Sequence, residues 1–147
     1  MRLYPITRDM SENYVSFDRS QYPLIKMTFT GEAANDESFA AYLKGLKDNY
    51  KRKEKIALLF DASNAGLPSL KYQKQMAGWM KENNTLIKKY CIGIAYVVPQ
   101  AMIRGALRVI FKIFNNPVPF EVFDNEEKAK GWLNDGLKSS VYADLKA

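Results

Sequence analysis

One stretch decides the fold: IALLFD, at residues 56–61. Its first five residues are all apolar and do not alternate as in a strand with one face in water. Such a run is typical of a strand buried in a parallel sheet. Asp61 ends the run, and a loop follows over residues 62–68. A second apolar run, residues 92–98, has the same character. Two such strands with helical periodicity between them predict an α/β fold.

Shorter elements surround this core. The predicted strands are residues 14–17, 24–29, 56–60, 92–98 and 120–123. Helices are predicted to begin near Asn35 or Asp36, at Ser69, at residue 100 after Pro99, and after Asp124 or Asn125. The first two strands are close enough to form a hairpin, and the order β-β-α-β-α-β-α-β-α predicts a mixed β-sheet with packed helices. We predict a single domain over residues 1–147, with a polar arm at 1–11 and a polar tail at 138–147.

Composition predicts a globular, cytoplasmic protein. Of the 147 residues, 47% are hydrophobic and 26% are charged, as in ordinary folded domains. Cys91 is the single cysteine, so no intrachain disulfide can form, which is common in reducing compartments. The first residues lack the apolar run of a secretory signal. Residues 92–98 are too few to cross a bilayer and residues 101–114 contain three cations, so we expect no membrane-spanning segment.

The net charge favours acidic partners without naming one. The chain carries +6 at neutral pH, with a pI of about 9.3. Nucleic acid, anionic lipid or an acidic protein face would all suit this charge. Part of it comes from KRKEK at residues 51–55, which we interpret as a solvated surface turn. Because aromatic and basic residues are not interleaved, we expect no specific nucleic-acid binding.

The residue type that most often acts as a general base is missing. The chain has no histidine, which removes the commonest general base and the commonest metal ligand. It also has no GxGxxG, GxxxxGKS/T or GxSxG motif. We therefore predict a protein that is not an enzyme, with no catalytic residue, no metal site and no cofactor.

The loop after the first buried strand holds three candidate binding residues. Asp61 stands at the carboxyl end of that strand, where open α/β sheets place their sites, or it fixes the loop by accepting amide hydrogen bonds. Ser63 and Ser69 are candidates for phosphorylation, or else a turn residue and a helix cap. For all three residues we favour the structural role.

The predicted helix over residues 100–114 is more apolar than one sheet contact requires. One face carries Ile103, Leu107, Ile110, Phe111 and Phe114, and Met102, Val109 and Ile113 widen it. Arg104, Arg108 and Lys112 form a basic line along its edge. The helix is either deeply packed with three snorkelling cations, or it covers an apolar groove, forms a dimer face or meets anionic lipid. On the functional alternative, Arg104, Arg108, Phe111 and Lys112 bind the partner or ligand.

Several short motifs together resemble the SpoIIAA-like family of bacterial domains, which is grouped with STAS domains. They are YPLI at 22–25, LLFDAS at 58–63, GIAYVVP at 93–99, RGAL at 104–107, FEVFDNEE at 120–127 and AKGWL at 129–133. The resemblance covers the chain from about Val15 to Leu133. It implies a compact α/β regulatory or binding domain without a cofactor. In the related anti-sigma-factor antagonists a serine near a helix start is phosphorylated, and Ser69 is its nearest match by position. The Asp-Ser-Ser-Gly type of motif found there is absent here.

Two function hypotheses follow. The first is a regulatory protein-interaction module of the STAS type, whose contact surface includes Asp61, Ser63 and Ser69. Its partner is another protein or a second copy of the chain. The second is a lipid or small apolar-ligand binder, which the comparison with CRAL-TRIO lipid-transfer domains suggests. There the helix over residues 100–114 covers the ligand, and its cations lie near an anionic head group.

Overall fold

Five strands form one sheet in the computed structural model, which describes the backbone of residues 14–113 and 116–146 and the side chains of 14–109 and 116–140. The strands are β1 (Val15–Asp18), β2 (Leu24–Phe29), β3 (Ile56–Asp61), β4 (Cys91–Val97) and β5 (Phe120–Phe123). They lie in the order β1-β2-β3-β4-β5, with β1 antiparallel to β2 and the others parallel. The predicted hairpin, mixed sheet and α/β class are confirmed. The predicted polar arm at 1–11 lies outside the described residues.

Five helices accompany the sheet in the described part of the chain. They are α1 (Asp36–Asp48), α2 (Leu70–Glu82), α3 (Asn84–Tyr90), α4 (Ala101–Ile113) and α5 (Glu126–Lys146). The segment predicted as a polar tail is helical as far as Lys146. Among these helices, none has both the length and the apolar character that a bilayer crossing requires.

Helix starts follow local capping chemistry at two of the predicted positions. Asn35 caps α1: its side chain accepts from the Ser38 amide at 2.8 Å, and the Asn35 amide donates to the Ser38 hydroxyl at 2.9 Å. The side chain of Asn125 accepts from the Lys128 amide at 2.9 Å at the start of α5. Ser69 occupies the cap position of α2, but its hydroxyl makes no capping hydrogen bond, so the predicted side-chain cap is wrong.

One face of the sheet packs against α1 and α3 through an aromatic-rich core. Met27 and Leu58 on the strands meet Phe39 and Tyr42 of α1, and Ile87 of α3 joins them. Tyr42 is buried, and the loss of solvation raises the pKa of its hydroxyl well above the ordinary value. This face supplies most of the apolar burial that stabilises the domain.

Among the described helices, α5 packs against the opposite face of the sheet. Ala129 and Leu133 of α5 lie fully buried against Leu59 of β3 and Ala95 of β4. The alanines let the helix backbone approach the sheet closely. Full burial of a leucine side chain such as Leu133 contributes about 1.5–3 kcal/mol. The two central strands are therefore covered on both sides, as their continuous apolar sequences predicted.

Helix α2 is less buried than its sequence suggests. We interpreted Met76, Trp79 and Met80 as core residues, but each is only half-buried, and α2 has no buried residue. The prediction is wrong because α2 packs mainly against its neighbour helices α1 and α3. Met76 and Trp79 therefore reach the core only from its rim.

Candidate interaction surface

The carboxyl ends of β3 and β4 lie side by side. Asp61 pairs with Val97 in the sheet, and the Ala62 amide donates to the Val97 carbonyl at 3.0 Å. The two segments that leave these ends are the loop 62–69 and helix α4. In open α/β sheets this is the edge where binding sites form. The candidate site is therefore built from these two segments.

Asp61 fixes the conformation of its loop. One carboxylate oxygen, Oδ1, accepts from the Ser63 amide at 3.1 Å and from the Ser63 hydroxyl at 2.7 Å. The Ala65 amide then donates to the Ala62 carbonyl at 3.1 Å and closes a turn. Asp61 and Ser63 are both half-buried. This geometry matches the structural role that we favoured for Asp61, an aspartate that accepts the amide two residues ahead.

Ser69 lies apart from this hydrogen-bonded pair. It is exposed at the start of α2, and its hydroxyl is free of a capping hydrogen bond. Its neighbours Leu67 and Leu70 are exposed large hydrophobic side chains. The structure thus places Ser69 between two apolar side chains that face water.

Two arginines of α4 bind the chain's own backbone. Arg104 Nη1 donates to the carbonyls of Val98 at 2.9 Å and Pro99 at 2.6 Å, at the end of β4. Arg108 Nη2 donates to the Val122 carbonyl at 2.6 Å, and its Nε donates to Glu121 at 3.2 Å, both in β5. These bonds hold α4 against the ends of the last two strands, with Arg104 half-buried and Arg108 exposed. Phe111 and Lys112 have side chains outside the described residues.

The opposite side of α4 is apolar and faces solvent. Met102, Ala106 and Val109, spaced i, i+4 and i+7, are all exposed, whereas Leu107 is half-buried. A side chain placed on Gly105 would meet no atom within 4 Å. The apolar excess that the sequence predicted is therefore present. It includes Met102 and Val109, on the side away from the arginines, and Ile103, in the row that the arginines border.

The exposed large hydrophobic side chains of the described residues fall only in the loop 62–69, at the first residue of α2 and on α4. They are Leu67 (92% exposed), Leu70 (65%), Met102 (87%), Ile103 (48%) and Val109 (60%). We call these five residues the carboxyl-edge surface. Sequence reasoning missed Leu67, in the loop, and Leu70, at the first position of α2, because single leucines at such positions give no periodic signal. Their one signal was their position after a buried strand.

Reactive groups lie elsewhere. Cys91 is buried at the start of β4, as predicted, and desolvation raises the pKa of its thiol to about 12. A thiol in that state is a poor nucleophile at neutral pH. Across the described residues, no group of three acidic or cysteine side chains is placed to hold a metal ion.

Comparison with known proteins bears on the family and on the fold. The sequence matches the model of the SpoIIAA-like family over residues 24–134. Among solved structures, the chain is similar to an uncharacterised protein from Shewanella loihica PV-4 with a SpoIIAA-like fold, at a TM-score of 0.63. The two are 17% identical over 81% of this chain and 91% of the other, a similarity that bears on the fold alone. No curated protein matches the sequence.

Proposed function

We propose, from the premise that the chain belongs to the SpoIIAA-like family, that it is a non-catalytic protein-interaction module. Its contact surface is the carboxyl-edge surface, presented by the loop 62–69 and the start of α2 on one side and by α4 on the other. The protein acts by holding a partner there, in the cytoplasm. The lack of histidine and the buried, high-pKa thiol of Cys91 support a role without catalysis.

The observation that carries the proposal is the location of the exposed hydrophobic side chains. Single exposed hydrophobic residues are ordinary on protein surfaces. Here the large ones lie in the loop 62–69, at the start of α2 and on α4, while Ala129 and Leu133 of α5, on the opposite side of the sheet, are fully buried. Apolar surface that is grouped in this way and rimmed by polar residues marks interaction sites.

Ser69 is the site through which this surface would be regulated. Its exposed hydroxyl is accessible to a kinase, and it lies between Leu67 and Leu70. A phosphate would add about two negative charges next to apolar side chains that the partner covers. Phosphorylation of Ser69 would therefore weaken the contact. Ser63 is a poorer substrate, because its hydroxyl is held by Asp61.

The arginines favour a protein partner over an anionic lipid. A lipid-binding helix needs cations beside its apolar stripe to meet phosphate groups. Arg104 and Arg108 instead donate to backbone carbonyls on the inner side of α4. The outward stripe of Met102, Ala106 and Val109 carries no charge of its own. An apolar protein face fits this stripe better than a charged bilayer surface does.

A capture experiment from lysate of the native cells tests the proposal. The wild-type chain is compared with a contact variant, Met102→Asp with Val109→Asp, and a control variant, Asn134→Asp with Ser139→Asp. Each variant adds two negative charges at exposed helix positions, the control on α5. We expect a protein that the wild-type and control chains retain and the contact variant loses. Circular dichroism verifies that both variants are folded.

Two results would contradict the proposal. Equal capture by the contact variant would show that the partner binds elsewhere. Flotation of the wild-type chain with phosphatidylserine vesicles, lost in the contact variant and kept in the control, would favour the lipid alternative instead. Native mass spectrometry would then show a retained lipid as additional mass.

A further inference from the structure

The outer edge of β5 is closed by side chains instead of by a strand. β5 is the last strand of the sheet, so within residues 14–113 and 116–146 one of its sides has no neighbouring strand. The amide of Ile94 donates to Pro119 and that of Val98 to Phe123, which fixes the side of β5 that faces β4. Because a strand alternates its hydrogen-bonding direction, the amide and carbonyl of Val122 point to the open side.

Both of these outward groups have partners. The Val122 amide donates to Glu121 Oε1 at 2.8 Å, and the Val122 carbonyl accepts from Arg108 Nη2 at 2.6 Å. Arg108 Nε also donates to the same Glu121 oxygen at 3.2 Å, so the three groups form a closed ring. The Val122 amide thus has an acceptor, and the Val122 carbonyl has a donor. A residue of a neighbouring strand would supply the same two groups.

We propose that Arg108 and Glu121 close this edge against strand addition by a second copy of the chain. In an antiparallel pair, two residues directly opposite each other exchange both amide–carbonyl hydrogen bonds. Two copies related by a two-fold axis through Val122 would exchange the two bonds that Arg108 and Glu121 now provide. The outward side of β5 could therefore pair with the β5 of a second copy. The ion pair between Arg108 and Glu121 occupies the position that this second strand would take. Charged side chains at an edge strand are a known defence against such pairing.

The closed edge of β5 is separate from the carboxyl-edge surface. Arg108 belongs to the sheet edge, whereas the contact stripe lies on the other side of α4. Removal of the ion pair should create a new self-association through β5, in which Met102 and Val109 are not contact residues. Conversely, loss of the contact stripe should leave the edge closed.

Two measurements test the closure. The first is amide hydrogen exchange in the wild-type chain: Val122, although on an edge strand, should exchange at least tenfold more slowly than in Glu121→Ala. The second is sedimentation of the double variant Arg108→Ala with Glu121→Ala, which should form a dimer whose population rises with concentration. In that dimer, the Val122 amide should be protected again.

The control is Lys128→Ala, which breaks an exposed ion pair with Asp124 just after β5 and leaves Val122 untouched. It should sediment as the wild-type chain does. A folded double variant that sediments like the wild-type chain at every concentration would overturn the proposal. If the double variant fails to fold, the wild-type exchange still decides: a Val122 amide that exchanges at the rate of an unprotected amide overturns the closure.

Discussion

Helices α4 and α5 differ in how much of their apolar surface the domain covers. α5 is mainly polar, yet Ala129 and Leu133 are fully buried against β3 and β4. α4 is mainly apolar, yet Met102 and Val109 are largely exposed. The apolar content of a helix therefore does not by itself determine how deeply that helix is buried in this domain. α5 contacts three strands, whereas α4 contacts β5 at the edge of the sheet. Part of the apolar surface of α4 therefore remains exposed to solvent.

The largest effect in this comparison should come from α5. Leu133→Ala leaves a cavity between α5 and the sheet, so we expect the free energy of unfolding to fall by about 2–5 kcal/mol. Urea denaturation followed by circular dichroism measures it. A loss below about 1 kcal/mol would mean that α5 is packed no more tightly than α4.

A smaller effect is expected where α4 is held. Arg104→Ala removes two charge-assisted hydrogen bonds to carbonyls at the end of β4, so the free energy of unfolding should fall by about 1–2 kcal/mol. Amides in the first turn of α4 should exchange faster, while those of α5 keep their rates. Unchanged exchange throughout α4 would show that other contacts hold the helix.

The start of α5 should respond to pH. Hydrogen bonds from Lys26 and Lys130 hold the pKa of Glu126 below its ordinary value of 4.5. A depressed carboxyl pKa stabilises the fold at pH values above 4.5, and this stability is lost as the pH falls through the folded-state pKa. Glu126→Gln should therefore destabilise the protein by about 0.5–1 kcal/mol at neutral pH and by less in acid. A difference that is constant across pH would contradict the ion-pair origin.

The smallest effect belongs to the exposed stripe of α4. Met102→Ser and Val109→Ser should each change the free energy of unfolding by less than about 0.5 kcal/mol, because neither side chain is buried. Leu107→Ser, at a half-buried position on the same helix, is the matched control and should cost more. If either of the exposed residues costs as much as Leu107, the stripe is part of the core.

The fold could be predicted from the sequence because its buried strands carry an unambiguous signal. The continuous apolar runs gave β3 and β4, and the strands at residues 24–29 and 120–123 have the predicted bounds. Cys91 at the start of a buried strand was also predicted correctly. These features depend on local pattern and on burial of the whole strand, and both can be recognised in one sequence.

The orientation of α4 could not be predicted, because apolar residues occur almost all around this helix. Periodicity does not distinguish the side with Met102 from the side with Leu107. The bonds from Arg104 and Arg108 to the backbone decide it, and such contacts join residues that only the fold brings together. The core assignment of Met76 and Trp79 was wrong for a related reason, since a helical stripe shows an apolar side without showing how far the helix lies from the sheet.

Site-specific photo-crosslinking in the native cells tests the central claim most directly. A photoreactive phenylalanine analogue replaces Met102 on the exposed stripe in one chain and Asn134, exposed on α5, in another. If the carboxyl-edge surface binds a protein, the Met102 position should give a discrete crosslinked species that the Asn134 position does not give. The same crosslinks from both positions, or none from Met102 in a folded chain, would contradict the account.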